Sequence, residues 1–288
     1  MVKKAIILCG GTGSRMFPST LATNKHLMPV YDKPMFFYPL SVLMLSGIKN
    51  FLLIINPGQK KKYVELLNPY ADIGINIEFV EQKKPGGIPE AFILGEKFIG
   101  NDSVALILGD NFFYGSMLTP LIKQSFQTKK GTNIYLYPSK NTSAYGVVEL
   151  NQRGKIKRIV EKPKFTKSNL IITGLYVFDK NVSSYAKKLK PSKRNELEIV
   201  DLLNKYKSNK KLYAEFIGRG GAWLDTGSIE DFYKTSSFVS AIENRQGLKI
   251  ACLEEIALNN KWIDKKTIKK AIKFYGKCDY SKYLYKLI

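Results

Sequence analysis

Leu8-Cys9-Gly10-Gly11-Thr12-Gly13-Ser14-Arg15 runs directly out of the apolar stretch Ala5-Ile6-Ile7-Leu8. Glycines at a strand exit let the backbone take positive φ and bring bare N–H groups against a ligand, and the arginine that follows offers a planar fork of donors matched to phosphate oxygens. The segment reads as a triphosphate cradle. A dinucleotide-binding G-x-G-x-x-G would need glycine where Met16 stands, and a P-loop would need Gly-Lys-Ser/Thr; both are excluded. The bland alternative is a glycine turn that closes a first strand. Lys25, Asp110, Asp225 and the Glu161-Lys162-Pro163 triplet weigh against it.

Asp110 stands in Leu106-Ile107-Leu108-Gly109-Asp110-Asn111, an acid directly after a buried strand. An ionised carboxylate there is costly unless paired or metal-bound. Magnesium takes one or two carboxylates and completes its shell with water and substrate phosphates, which suits Asp110 plus one partner. Trp223-Leu224-Asp225-Thr226-Gly227 supplies that partner in Asp225, unless Asp225 merely caps a helix beginning near Ser228. Pro163 holds its predecessor out of helix, so Glu161 can hydrogen-bond a sugar while Lys162 binds phosphate; the competing reading is a surface ion pair. Arg194 reads as a phosphate contact ahead of a helix and Glu196 as a first-turn acid. His26 has no nucleophile beside it and receives no catalytic role, and Cys9 reads as a small packing residue rather than a reactive thiol.

The elements that must hold these residues follow from the apolar pattern. Ala5–Cys9 is continuous and apolar, as a buried parallel strand is. Pro34 reads as a helix start, with Phe36, Leu40, Leu43 and Met44 at helical spacing and Gly47 closing; Pro39 is tolerable only in the first turn. Phe51–Ile55 reads as a strand, Lys60–Leu67 as a helix, Ile75–Val80 as a strand, Pro89 to Phe98 as a helix and Val104–Leu108 as a strand. This alternation predicts an α/β fold: a Rossmann-like, mostly parallel mixed sheet with helices on both faces, its ligands beyond the carboxyl ends of the strands, where Gly10–Arg15, Gln82 and Asp110 fall. From Asn133 the rhythm turns strand-rich, at Ile134–Tyr137, Gly146–Leu150, Ile156–Val160 and Ile171–Phe178. Then come a helix at Glu196–Lys205, a strand at Leu212–Ile217, a helix at Ile229–Glu243 and short C-terminal helices. We expect one large domain over 1–240, with 1–130 and 131–240 as its two parts, and an appended helical segment over 241–288 that offers a regulatory or oligomer surface.

With 288 residues the chain is near the upper limit for one hydrophobic core. Its 44% hydrophobic and 24% charged residues are those of a soluble globular protein. No apolar run approaches ~20 residues and Lys3-Lys4 lead straight into a strand, so no membrane partner and a cytoplasmic location are expected. Three cysteines without C-x-x-C spacing, and one histidine, argue against a disulfide framework or a zinc site. The formal charge of +22 raises the question of nucleic acid. The lysines, however, are spread along the chain without aromatic interleaving, so no nucleic-acid partner is expected; the same field steers anionic nucleotides inward.

One family carries this whole set. Gly10 to Arg15, Lys25 to Pro29, Tyr31 to Met35, Tyr38-Pro39-Leu40, Leu108 to Asn111, Phe113-Tyr114-Gly115, Tyr145 to Glu149, Glu161-Lys162-Pro163, Thr173 to Tyr176 and Ala222 to Gly227 together resemble the nucleoside-diphosphate-sugar pyrophosphorylase family, on its glucose-1-phosphate thymidylyltransferase branch. The resemblance runs over essentially the whole length, including Arg245 to Lys249 and Asp279-Tyr280. It implies a GT-A-like nucleotidyltransferase domain, a homotetramer and magnesium-dependent chemistry. In that chemistry the phosphate oxygen of glucose 1-phosphate attacks the α-phosphorus of dTTP in line and pyrophosphate leaves, giving dTDP-glucose for deoxysugar synthesis such as that of dTDP-rhamnose.

The resemblance assigns nucleotide binding to Leu8, Gly10, Gly11, Thr12, Gly13, Ser14, Arg15, Lys25, Gln82, Gly87 and Asp110. Arg15 would hold the leaving pyrophosphate, Lys25 and Lys162 would bridge phosphates, and Asp110 with Asp225 would hold Mg2+. Asn111, Tyr145, Gly146, Glu161, Lys162, Ile172, Tyr176, Arg194 and Trp223 would form the sugar-phosphate site, with Gln82 and Gly87 reading the pyrimidine. A second, inhibitory site would use Tyr114, Gly115, Arg219, Glu255 and Ile256. Two departures stand out. The family's Asp-Gly-Leu-Ala-Gln-Ala is Gly86-Gly87-Ile88-Pro89-Glu90-Ala91 here, which opens the choice between dTTP and UTP, and Thr119 and Asn259 replace a histidine and an arginine in the second site, which weakens feedback. A regulator that binds nucleotide sugars without turnover is the rival from a different class; retention of Arg15, Lys25, Asp110, Lys162 and Asp225 argues against it.

Overall fold

The computed structural model describes residues 2–127 and 130–288. Strand β1 (Lys4–Cys9) is followed by the two-residue strands β2 (Pro29–Val30) and β3 (Lys33–Pro34), then by β4 (Asn50–Ile55), β5 (Asn76–Glu81) and β6 (Val104–Leu108). β1 pairs in parallel with β4 on one side and with β6 on the other, and β4 pairs in parallel with β5. The chain therefore moves outward from β1 through β4 to β5, then jumps back across β1 to place β6. Such a reversal leaves a crevice beyond the carboxyl ends of the strands. The glycine loop follows β1 and Asp110 follows β6, so both stand at its rim.

The second half extends the same sheet with mixed direction. Strand β7 (Asn111–Tyr114) leaves the sheet, and β8 (Thr132–Pro138), β9 (Gly146–Leu150), β10 (Ile156–Glu161) and β11 (Leu170–Phe178) follow. β11 is antiparallel to β6, β8 and β9, while β12 (Leu212–Phe216) runs parallel to β8. The result is one nine-stranded sheet. Strand β13 (Ala222–Asp225) pairs with β7 in a separate antiparallel ladder that sets Asp225 opposite Asn111.

The continuous apolar run of β1 is explained by burial on both faces. Ala5, Ile7 and Cys9 pack into one core with Phe36, Phe37, Leu40 and Tyr63, whereas Ile6 packs into the other with Phe92, Leu202 and Tyr206. Helices Phe37–Leu45 and Lys60–Leu67 cover the first face, and Glu90–Leu94 and Ile199–Ser208 cover the second. Each buried Leu, Ile or Phe contributes about 1.5–3 kcal/mol, and the site hangs on the strands this packing fixes. A third, smaller cluster gathers Cys252, Ile268, Ile272, Tyr283 and Leu284 among the C-terminal helices.

Several expectations are corrected. Pro34 does not start a helix; it pairs with Pro29 in the β2–β3 ladder, and the helix begins at Phe37 with Pro39 in its first turn. The helix expected over Pro89–Phe98 is two pieces, Glu90–Leu94 and Glu96–Ile99. They break at Gly95, where a Cβ would lie 2.9 Å from the Ala91 carbonyl oxygen and 3.0 Å from Ile6 and Leu52 of the sheet. The helix expected from Glu196 starts at Ile199, so Glu196 lies ahead of it and is no first-turn acid.

Candidate active site

The glycine loop is held by its neighbours. Gly11 and Gly13 take φ of 103° and 64°. Asn56, just past β4, donates its amide to the Gly11 carbonyl at 2.8 Å and accepts from the Gly11 N–H at 2.9 Å, while the Thr20 hydroxyl donates to the Gly13 carbonyl at 2.8 Å. Met16 is fully buried and anchors the short turn Ser14–Met16, which leaves Thr12, Ser14 and Arg15 exposed. Leu8 accepts from the Gly109 N–H at 2.9 Å, tying the loop's root to the residue before Asp110.

Lys25 and Asp110 form an ion pair in which each side chain is 12% exposed. Burial works against the Asp110 charge, but Lys25 and the hydrogen bonds from Lys25 and Asn111 outweigh it and hold the carboxyl well below the usual carboxylate range. Asp225 goes the other way: burial first, and the Asp110 charge second, push it up to about 6, with Arg15 and Lys25 partly offsetting. Arg15 lies across Gly227, close enough that a Cβ there would meet its guanidinium at 2.4 Å. Asp225 is no helix cap; Ser228 takes that role by accepting from the Asp231 N–H at 3.1 Å.

Asn24 fixes the turn that carries Lys25. Its side chain accepts from the His26 N–H at 2.8 Å and bonds the His26 ring at 2.8 Å, while its amide reaches the Cys9 carbonyl at 3.3 Å. Burial lowers His26 to about 3, so the ring is neutral and structural. Burial likewise raises the Cys9 thiol, which leaves it a packing residue.

Beyond the aspartates a cleft of ≈ 610 Å³ opens, lined by Arg15, Asp110, Asn111, Tyr145, Gly146, Glu161, Lys162, Ile172, Tyr176, Arg194, Trp223 and Asp225 among others. Asn111 organises its floor: its side-chain oxygen accepts from the Trp223 indole at 2.7 Å and from the Gly174 N–H at 3.0 Å. Tyr145 donates to Asp225 at 3.4 Å. Lys162 holds φ of 43°, a left-handed conformation that costs a non-glycine residue about 1–3 kcal/mol. Arg194 grips Glu198 with two bonds of 3.2 and 2.7 Å and lies 3.7 Å from Glu161. Burial raises the Glu161 carboxyl, with Lys162 opposing.

Gln82 and Gly87 lie outside that cleft's lining, beyond the carboxyl end of β5. Gln82 is 6% exposed, and its backbone N–H donates to the Ile55 carbonyl at 2.8 Å. Gly10 faces its carboxamide so closely that a Cβ would stand 2.7 Å from Oε1.

Residues 4–241 match the nucleotidyl transferase family. The chain belongs to that family. It is 45% identical over 285 residues to a glucose-1-phosphate thymidylyltransferase of Neisseria meningitidis, with 99% of each chain covered. The corresponding protein of Mycobacterium tuberculosis is 42% identical over 285 residues, again with 99% of each chain covered. Among solved structures, UDP-glucose pyrophosphorylase complexed with UDP-glucose superimposes with a TM-score of 0.73 at 26% identity, over 85% of this chain and 100% of the other.

This nucleotidyl transferase therefore gathers its phosphate-binding and acidic candidates at one crevice, as the residue types suggested. Thr226, Asn24, Asn56 and Glu198, which fix them, were not singled out. Only Glu198 carried a signal, an acid four residues after Arg194 at the approach to a helix. Tyr114, Gly115, Glu255 and Ile256 line a separate cleft of ≈ 400 Å³ with Thr119 and Asn259. Arg219 is not in its lining; it sits in an adjoining cavity of ≈ 280 Å³ on the Gly218–Gly221 turn, whose backbone packs against Gly115.

Proposed function

We propose that this chain transfers the thymidylyl group from dTTP to α-D-glucose 1-phosphate, giving dTDP-glucose and pyrophosphate, with Mg2+ held by Asp110 and Asp225. The observation that carries this is the meeting of Arg15, Lys25, Asp110 and Asp225 at the head of a cleft whose far wall is Glu161, Lys162 and Arg194. Cations stand ready for phosphates on both sides of an acidic pair. The functions of the relatives agree.

The donor set fits magnesium. Two hard carboxylates line the same crevice, one partnered by Lys25 and the other raised to about 6 by burial first and by the charge of its neighbour second. Among the described residues no third His, Cys, Asp or Glu joins them, as expected of an ion that fills its shell with water and substrate phosphates. Bound magnesium supplies charge neutralisation at phosphate oxygens. The chain does the rest by positioning. Arg15 and the glycine loop take the leaving pyrophosphate, Lys25 and Lys162 hold phosphates on either side of the reacting centre, Arg194 takes the sugar phosphate, and Glu161 accepts from sugar hydroxyls. Gln82 and Gly87 read the pyrimidine.

Preference for UTP is the second reading, left open by the altered Gly86–Glu90 segment and favoured by the structural neighbour that is complexed with UDP-glucose. Pyrophosphate release from glucose 1-phosphate with dTTP and UTP in parallel, with and without Mg2+, tests both: faster release with dTTP supports the first, faster release with UTP the second, and no release with either sinks the proposal. The same reading places the protein in the cytoplasm, and among the described residues no helix is long and apolar enough to cross a membrane. Exposed Met117, Phe216, Tyr233 and Leu248 offer surface for a homotetramer, which sedimentation tests. The cleft at Tyr114, Glu255 and Ile256 is a second nucleotide-sugar site under this reading, with 241–288 as a helical segment supplying one wall.

A further inference from the structure

We infer that Glu90 locks the orientation of the Gln82 carboxamide, and that this lock makes the site select a pyrimidine with an N3–H and an O4 over cytosine; the inference rests on the proposed function for the place of the base. Glu90 opens the short helix Glu90–Leu94, where an acid turned to solvent would be ordinary. Instead its carboxylate turns back and accepts a hydrogen bond from Gln82 Nε2. An ionised carboxylate only accepts, so the amide nitrogen of Gln82 must face it; the flipped amide would set an oxygen against a negative charge.

Gly86 makes this possible. A Cβ at 86 would stand 2.3 Å from one Glu90 carboxylate oxygen and 2.8 Å from the other. Glycine at 86 and glutamate at 90 are thus one coupled feature, because any side chain at 86 competes for the carboxylate's place. The surroundings are fixed. Leu197 donates its N–H to the Gly86 carbonyl at 2.8 Å, and Gly87, at φ 89°, lies so close to Leu197 that a Cβ would meet its carbonyl oxygen at 2.1 Å.

One Nε2 hydrogen goes to Glu90, leaving the other beside Oε1 as a donor and an acceptor in fixed order. Thymine and uracil present O4 and N3–H, which complement that order. Cytosine presents an N4 donor and a bare N3, which complement only the flipped amide. The 5-methyl group is not read by this contact, so the lock sorts dTTP and UTP from dCTP rather than from each other.

The test measures binding of dTTP and dCTP by calorimetry, with pyrophosphate release alongside, in wild type, Glu90→Ala, Glu90→Gln, Gly86→Asp and Gly86→Asp/Glu90→Gln. Wild type should prefer dTTP by at least ~100-fold, since sites built on hydrogen bonds reject mismatched analogues strongly. Glu90→Ala should cut that ratio at least ~10-fold, with the loss in KM for dTTP rather than in kcat. Glu90→Gln, whose amide can turn either its oxygen or its NH2 toward Gln82, no longer fixes the order and should lower the ratio as well. Gly86→Asp should set a second carboxylate against Glu90 and lower the ratio, and adding Glu90→Gln should restore it by leaving the carboxylate introduced at position 86 as the acceptor-only partner of Gln82, a coupling that two independent structural defects would not show. A wild type that does not discriminate, or an unchanged ratio in folded Glu90→Ala, overturns the inference; should Glu90→Ala not fold, the Gly86→Asp pair decides in the same way. Selective binding without pyrophosphate release removes the proposed activity and leaves the lock standing, whereas turnover indifferent to residue 90 does the reverse.

Discussion

Thr226 donates twice to the carbonyl of Asp110, from its backbone N–H at 2.9 Å and from its hydroxyl at 2.6 Å. Through that double contact the end of β13 is fastened to the end of β6, and two carboxylates 115 positions apart in the chain face one site. Thr226→Val keeps the backbone bond and shape but loses the hydroxyl, so Asp225 is held less firmly against Asp110. We expect a Mg2+ requirement raised several-fold and a stability loss of about 1 kcal/mol. Magnesium titration of pyrophosphate release checks it; an unchanged requirement would show that the hydroxyl does not set the pair's geometry.

The same pair predicts a gain of stability on losing activity. The Asp225 carboxyl, raised from 3.8 to about 6, binds a proton more readily folded than unfolded, so its ionisation costs stability as pH rises through that window and in full above it. Asp225→Asn removes the cost. Without Mg2+ the variant should be more stable than wild type by about 1–3 kcal/mol at pH 8, and the difference should vanish near pH 4. Both Asp225→Asn and Asp110→Asn should abolish most turnover, but Asp110→Asn strands Lys25 and gains nothing. Thermal melts at the two pH values decide it; a destabilised Asp225→Asn at pH 8 counts against burial and the Asp110 charge raising this carboxyl in the metal-free site.

How much of this could be read from the chain depends on how each part is buried. β1, β4 and β6 are legible because runs such as Phe51–Ile55 are apolar at almost every position, as strands covered on both faces must be, whereas the half-exposed edge strand β5 shows itself by alternation, with Ile77 and Phe79 set between Asn76, Glu78 and Glu81. Lys60–Leu67 shows its period because only one stripe of it is buried. β7 and β13 are not legible: Asn111-Phe112-Phe113-Tyr114 follows β6 after only the two-residue turn Gly109-Asp110, and its ladder partner lies 108 or more positions later, so no local pattern marks the pair. The site followed the same rule. Gly10–Arg15, Asp110 and Asp225 announce themselves by residue type at strand ends, whereas Thr226 and Asn24 act through single contacts that exist only once the fold is made. Arg219 was grouped with Tyr114 and Glu255, yet the Gly218–Gly221 turn carries it into the next cavity.

Gly227 gives the mildest probe of Arg15. A methyl group there would stand 2.4 Å from the guanidinium and 2.9 Å from an Asp225 oxygen. Because Arg15 is exposed and flexible at that end, it can move away at little cost to folding. Gly227→Ala should therefore raise KM for dTTP roughly tenfold while shifting the melting temperature by no more than a few degrees. An unaltered KM would mean that Arg15 leaves Gly227 before the triphosphate binds.

Arg194 is held by an acid that must release it. Its two bonds to Glu198 occupy the fork that a sugar phosphate would use, and Glu198 is the less exposed partner at 12% against 45%. A dianionic phosphate out-competes one carboxylate for the guanidinium, so substrate binding breaks this pair. Glu198→Gln should weaken the resting grip and lower KM for glucose 1-phosphate by a few-fold, whereas Arg194→Ala should raise it more than tenfold and leave KM for dTTP nearly unchanged. With Arg194 gone, Glu198 and Glu161 are left with Lys162 as their remaining shared cation, and the Glu161 carboxyl, already raised by burial, should rise further. The acid limb of kcat/KM for glucose 1-phosphate should then shift to higher pH in Arg194→Ala. A KM effect spread equally over both substrates would place Arg194 at the shared phosphates instead of at the sugar phosphate.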